Sequence, residues 1–164
     1  MKTKKLTLSA LLVAVGVISA NIIYIPIGIS KCFPVQHIIN VLSAVLLGPF
    51  YAVGNAFIIS LIRNISGTGT PLAFPGSMIG AFLAGLVFKK TGNKLLAVFG
   101  EVFGTGILGG LAAFTMAKYL MGKDAAAFFF IPPFLISTIG GSIIAYILLK
   151  ALERTKVLKE EENR

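Results

Sequence analysis

The chain predicts an all-α integral membrane protein, a six-transmembrane-helix bundle in a single domain spanning residues 1–164, and three observations carry that reading. Apolar residues make up 56% of the sequence and charged residues 13%, roughly half the charged share of a soluble domain. The apolar residues gather into six runs, and the mean hydropathy is +0.91. The 15 Lys and Arg, against 6 Asp and Glu, lie in tails and short loops between those runs, where basic residues orient a chain in a bilayer. Nucleic acid is not an expected partner.

The first run, Leu6 to Ile25, follows Lys2, Lys4 and Lys5. A signal peptide opens in the same way, but Ile18-Ser19-Ala20 is a poor cleavage site and the run continues past it, so it reads as helix 6–25. Helices 36–47 and 50–62 flank Gly48-Pro49. At 1.5 Å per residue each reaches only about 18–20 Å, short of a hydrocarbon core of roughly 30 Å. Each must therefore borrow flanking residues, tilt, or be shielded by its neighbours. A single helix kinked at Gly48-Pro49 is the alternative. Helix 72–88 stops before Lys89-Lys90-Thr91-Gly92-Asn93-Lys94, and helices 95–120 and 125–149 complete the set ahead of a polar tail, 150–164.

Charge decides between six crossings and five. With six, and the N-terminus inside, the inner face holds Lys2, Lys4, Lys5, Lys89, Lys90, Lys94, Lys150, Arg154, Lys156, Lys159 and Arg164. The outer face holds only Lys31, Arg63, Lys118 and Lys123. Five crossings would put the basic tail outside, against the positive-inside tendency. Both termini are expected on the cytoplasmic side of the cell membrane.

Two polar segments then fall at the outer mouth: Lys31-Cys32-Phe33-Pro34-Val35-Gln36-His37-Ile38-Ile39-Asn40, and the stretch from Arg63-Asn64 through Gly67-Thr68-Gly69-Thr70-Pro71 to Phe74-Pro75-Gly76-Ser77. Aromatic, amide and imidazole groups gathered with Gly and Pro at one end of a helical bundle suit a small-molecule pocket. His37 and Asn40 stand i, i+3 on one helix face, with Gln36 beside them; capping of a short helix is the competing reading. Arg63 reads as an interfacial anchor that reaches for water, and Asn64 less so. Phe74-Pro75-Gly76-Ser77 is expected to break or kink the start of its helix and to wall the site.

Glu101 lies seven residues beyond Lys94, about 10 Å along a helix. A lone carboxylate at the bilayer centre costs around 2.5–3.5 kcal/mol, so it is expected to pair or accept structural hydrogen bonds. Gly100, Gly104, Gly106, Gly109 and Gly110 read as a close-packing surface, as does the Ala10-x-x-x-Ala14 step on the first helix.

Several absences narrow the chemistry. The chain has no G-x-x-x-x-G-K-[ST] stretch to cradle a nucleotide, and no H-E-x-x-H or paired Cys/His spacing to hold zinc. One His, one embedded carboxylate and the lone Cys32 leave little material for catalysis or a disulfide framework. No enzyme, cofactor or metal is expected, and uphill transport would draw its energy from a partner.

Taken together, the basic N-terminus, Ala10-x-x-x-Ala14, six runs and the absence of an ATPase motif resemble the substrate-binding S components of energy-coupling factor (ECF) transporters. The segments Lys31 to His37 with Asn40-Val41-Leu42, Leu46-Leu47-Gly48-Pro49, Arg63-Asn64 and Gly67 to Ser77 look like the ThiW-type S component, associated with the thiazole precursor of thiamine. The resemblance covers nearly the whole chain. It implies a pocket near the outer face beneath a lid, Ile27 to Pro34. It also implies that Ala10 and Ala14 meet a transmembrane coupling subunit driven by two ATPase subunits, and that the S component topples in the lipid bilayer to deliver its solute.

The implied ligand, hydroxyethylthiazole, is small and neutral. With ~9 non-hydrogen atoms and a ceiling of about −1.5 kcal/mol per atom, its affinity is limited to about −13 kcal/mol, so tight binding needs near-complete enclosure. Phe33 and Phe74 are candidates to stack on the ring, His37 or Gln36 to bond its nitrogen, and Asn40 or Thr70 to meet its hydroxyl, with Asn64 nearby. Two other classes stay open: an ion-coupled carrier using Glu101 and His37, and a structural membrane subunit.

Overall fold

Six helices organise the described residues, which in this computed structural model are 2–27, 30–123 and 126–154. They are α1 (Lys2–Ile22), α2 (Pro34–Leu46), α3 (Pro49–Ile65), α4 (Ala73–Thr91), α5 (Lys94–Tyr119) and α6 (Ile131–Arg154). By length and composition, α1, α5 and α6 are long and apolar enough to cross a membrane.

The short second helix answers its length problem by enclosure. It has 13 residues, ten of them buried, and packs against each of the other five helices. Gly48 ends it with φ +96°, a backbone conformation that costs glycine little and other residues much. The chain therefore turns back instead of kinking, and α2 and α3 pack as a hairpin. Pro34 and Pro49 each open a helix, where the missing N–H costs nothing because the first turn has no intrahelical acceptor for it. The same argument corrects the expectation for Phe74-Pro75-Gly76-Ser77. Pro75 is the third residue of α4, and the helix runs through it unbroken to Thr91.

Small residues let the elements approach closely. Ala44, Ala52, Ala56, Ala81 and Ala84 form one core cluster between α2, α3 and α4. Gly104 meets the backbone of Gly80, and Gly109 that of Gly76, where α4 and α5 cross. The larger core, around Leu12, Ile39, Val41, Leu42, Ile59 and Leu149, joins α1, α2, α3 and α6.

Three local features were not foreseen. The segment before α2 contains two short antiparallel strands, β1 (Ile25–Ile27) and β2 (Ser30–Cys32), with Ile25 opposite Cys32. Within α5, Val102–Gly109 is π-helical, a widened geometry that is frequent at functional sites. The last helix begins at Ile131 and not at 125, because residues 127–130 form a turn. The tail beyond Arg154 lies outside the described residues.

At the end opposite the strands, Asn93 caps α5 by accepting from Leu95 N (2.9 Å) and Leu96 N (3.3 Å), which satisfies two first-turn donors. Lys94 and Glu153 pair there between α5 and α6; an exposed pair of this kind contributes little.

Candidate functional site

The polar residues of α2 are buried because five helices surround it, and burial obliges them to find partners. Glu101 on α5 is fully enclosed, and its Oε1 is approached by His37 Nδ1 (3.0 Å), Asn40 Nδ2 (2.9 Å) and Thr105 Oγ1 (3.0 Å). The carboxylate thus joins α2 to α5 just where α5 becomes π-helical. Asn40 also donates to the Ser77 carbonyl on α4 (3.2 Å). His37 and Asn40 therefore do not cap α2. They hold the embedded acid, whose need for partners was the sequence expectation.

A second set of bonds starts at the C-terminal end of α3. Arg63 donates to Gln36 Oε1 and to the Thr68 carbonyl (3.4 Å), and its guanidinium lies 3.9 Å from the Phe33 ring centroid. Gln36 Nε2 donates to Ser60 Oγ (2.9 Å), which meets Ser77 Oγ at 3.1 Å. Arg63 is 1% exposed. The reading of it as an anchor at the membrane surface is thereby corrected: the loop after α3 folds back, with Thr68 N and Gly69 N both bonded to the Arg63 carbonyl, and encloses the side chain.

Between these two networks lies a cavity of about 550 Å³, open at the end of the bundle that carries β1 and β2. Its walls come from the ends of α1, α2, α3 and α4, the middle of α5 and the start of α6. Phe33, Gln36, His37 and Thr70 line it. Three other candidates stand apart. Asn40 is one layer behind, on Glu101 and Ser77. Asn64 bonds the carbonyls of Ser60 and Thr70 and so shapes the loop. Phe74 packs on Phe57 with ring centroids 5.6 Å apart.

Sequence reasoning missed the opposite wall, which is Phe130, Pro133, Phe134 and Ser137 of the turn before α6 and its first turns. The three consecutive phenylalanines 128–130 ahead of Pro132-Pro133 were the available signal. This wall is tied to the strand segment, since Cys32 Sγ donates to the Pro133 carbonyl (3.3 Å) and Phe33 N donates to Ser137 Oγ (3.0 Å). Gly141 brings α6 against Pro34 and His37 so closely that a Cβ there would sit 2.8 Å from His37 Cβ. Ala10 and Ala14 are exposed on the outer face of α1, away from the cavity.

Chemically, one wall of the cavity offers Arg63, another an imidazole whose Nδ1 is already committed to Glu101, and the rest mixes aromatic and apolar residues with Gln36, Thr68, Thr70, Ser77, Thr105 and Ser137. No curated protein and no solved structure matches the chain. A family model described as thiamine-precursor transporter protein (ThiW) matches residues 6–155, a span that reaches into all six helices and includes every residue lining the cavity. On that match this membrane protein belongs to the ThiW family of thiamine-precursor transporters.

Proposed function

We propose that this transporter is the substrate-binding S component of an ECF-type uptake system for hydroxyethylthiazole, crossing the cell membrane six times with both termini cytoplasmic. The observation that supports it best is the single-ended cavity with its aromatic and polar lining. At about 30 Å³ per non-hydrogen atom, the share of a water molecule in the liquid, nine atoms need about 270 Å³, about half of the 550 Å³ available. The ring lies against Phe130 and Phe134 with its nitrogen accepting from the Gln36 side-chain amide, and the hydroxyethyl arm reaches Arg63 and Thr70 and donates its hydroxyl to His37 Nε2, the acceptor left when Nδ1–H serves Glu101. A buried guanidinium in the wall disfavours cationic thiamine by like-charge repulsion.

In this reading β1, β2 and Phe33 form the lid, which the contacts to Pro133 and Ser137 hold in place. The exposed Ala10 and Ala14 receive the coupling subunit, two ATPase subunits supply the energy, and the chain itself catalyses nothing. Reconstitution tests this directly. The purified protein should bind hydroxyethylthiazole alone, and proteoliposomes should accumulate it only when the coupling subunit, both ATPases and ATP are present.

One observation favours a second reading. The buried His37 and Glu101 pair is the kind of intramembrane group that an ion-coupled carrier uses. Accumulation by the chain alone under a proton or sodium gradient would establish that reading and exclude the S-component role. A purely structural subunit would bind no solute.

A further inference from the structure

We propose that the cavity takes, beside the neutral alcohol and more tightly than it, thiazoles whose flexible arm ends in an anionic group, a phosphate monoester or a carboxylate, and that Arg63 is the residue that holds that group. The inference rests on the thiamine-precursor reading and adds the ligand's charge to it. Its basis is the set of neighbours around Arg63. The side chain is 1% exposed, yet its contacts are all formally neutral: Gln36 Oε1, the Thr68 carbonyl and the face of Phe33. Its Nε has no hydrogen-bond partner.

Among the described residues no carboxylate comes within 4.0 Å of it, since the ion pairs there are His37 with Glu101 and Lys94 with Glu153. Glu101 is already engaged by three donors on another wall. A buried guanidinium surrounded by neutral groups carries a desolvation cost that only a counter-charge offsets well. Arg63 is among the residues lining the cavity, so a bound solute that displaces Gln36 or the Thr68 carbonyl from it supplies that charge.

The geometry also selects the kind of anion. Phe33 covers one face of the guanidinium, and in its plane Nη1 and Nη2 meet only the neutral Gln36 and Thr68 oxygens, which a phosphate or carboxylate with two oxygens replaces along the same edge. Gly67, Gly69 and Thr70, from the loop that folds back over Arg63, also line the cavity. Gly69 packs so close to Arg63 that an added Cβ would lie 3.1 Å from Arg63 Cβ, so the loop admits the arm without side-chain bulk. A phosphate ester adds four non-hydrogen atoms, about 120 Å³ by the measure used above, and the cavity still holds the whole molecule.

Calorimetric titration of detergent-purified, ligand-free protein tests this with four probes: hydroxyethylthiazole, its phosphate ester, a thiazole bearing a carboxylate on the same arm, and inorganic phosphate. The expected result is at least one anionic thiazole binding tenfold or more tighter than the alcohol in the wild type. That gap should shrink to within twofold in Arg63→Gln and recover partly in Arg63→Lys. The ester and the carboxylate separate the two anion sources. Equal or tighter binding of the alcohol than of both anions overturns the inference and leaves the thiamine-precursor reading intact, whereas no binding of any thiazole overturns that reading itself. Inorganic phosphate binding as tightly as the ester would also overturn it, by detaching the anion from the ring. The wild-type comparison stands whether or not the Arg63 variants fold.

Discussion

If Glu101 acts on the solute only through His37, the two residues must be energetically coupled, and a double-mutant cycle reads that coupling. The structure supplies the magnitudes. His37 borders the cavity, and its truncation to Ala removes one solute hydrogen bond from a buried site, a loss of about 1–3 kcal/mol or roughly 5- to 150-fold in affinity. Glu101 is fully enclosed and touches the imidazole at 3.0 Å. Glu101→Gln keeps the shape but exchanges a carboxylate that serves three donors for an amide that must point its oxygen the same way. The imidazole is then less firmly oriented, and about 1–2 kcal/mol of solute affinity should go with it, within the range seen for coupled neighbours. In the His37→Ala background the same substitution should cost less than about twofold, because nothing is left to orient. Calorimetric titration of the four proteins with hydroxyethylthiazole gives the cycle. Additive losses would refute the argument, as would wild-type affinity in His37→Ala.

Other expectations follow from packing and topology. Gly80→Ala places a Cβ 2.7 Å from Glu101 Oε2, so it should overpack the α4 and α5 crossing by about 1–3 kcal/mol and lower the melting temperature in detergent; an unchanged melt would contradict the crossing. Ala10→Trp and Ala14→Trp alter exposed positions, so solute affinity should stay within twofold of wild type while assembly with the coupling subunit, measured by co-purification, is lost. For the six-crossing topology, an impermeant maleimide applied from outside to a Cys32-free background should reach a cysteine at 68 and not one at 92; labelling at 92 would invert the argument from charge. Burial pushes the Cys32 thiol up, which lowers its thiolate fraction at any given pH, so alkylation at neutral pH should be slower than that of a peptide thiol and slower still with solute bound. Labelling at the rate of a free peptide would place Cys32 outside the closed segment described above.

What the sequence disclosed was whatever depends on solvent. Burial of apolar surface in lipid and the cost of a lone carboxylate there are local consequences of residue type, so the six runs, the glycine face of α5 and the need of Glu101 for partners could all be read directly. What it concealed depends on distant segments meeting. Arg63 sits at a helix end, where a basic residue ordinarily reaches for water, and only the return of residues 67–70 over it makes it part of a cavity wall. β1 and β2 are three residues each; β1 follows directly on the apolar run of α1 and β2 falls in the polar segment after it, so neither is long enough to show a strand's alternation. The start of α6 was legible in part, since Pro132-Pro133 in the first turn is a helix-opening signal; the apolar residues before it obscured the boundary. The roles of Asn64 and Phe74 turned on which face each helix presents, and neither lines the cavity.

The π-helical stretch of α5 bears on how this chain tolerates changes in length. A helix that accommodates surplus residues in wide turns has, in effect, stored an insertion. Removing one residue between Val102 and Gly109 would let the backbone relax to ordinary α geometry, and because the wide turns had absorbed that residue, the helix beyond would keep nearly its rotational phase. Glu101, ahead of the stretch, and Gly110, which faces Ile131 of α6, would both keep their partners, whereas a residue removed from regular α-helix turns everything beyond it by about 100°. What the deletion would take away is the local widening around Thr105, where α5 lines the cavity, so the chain would keep its bundle and lose the shape of one pocket wall.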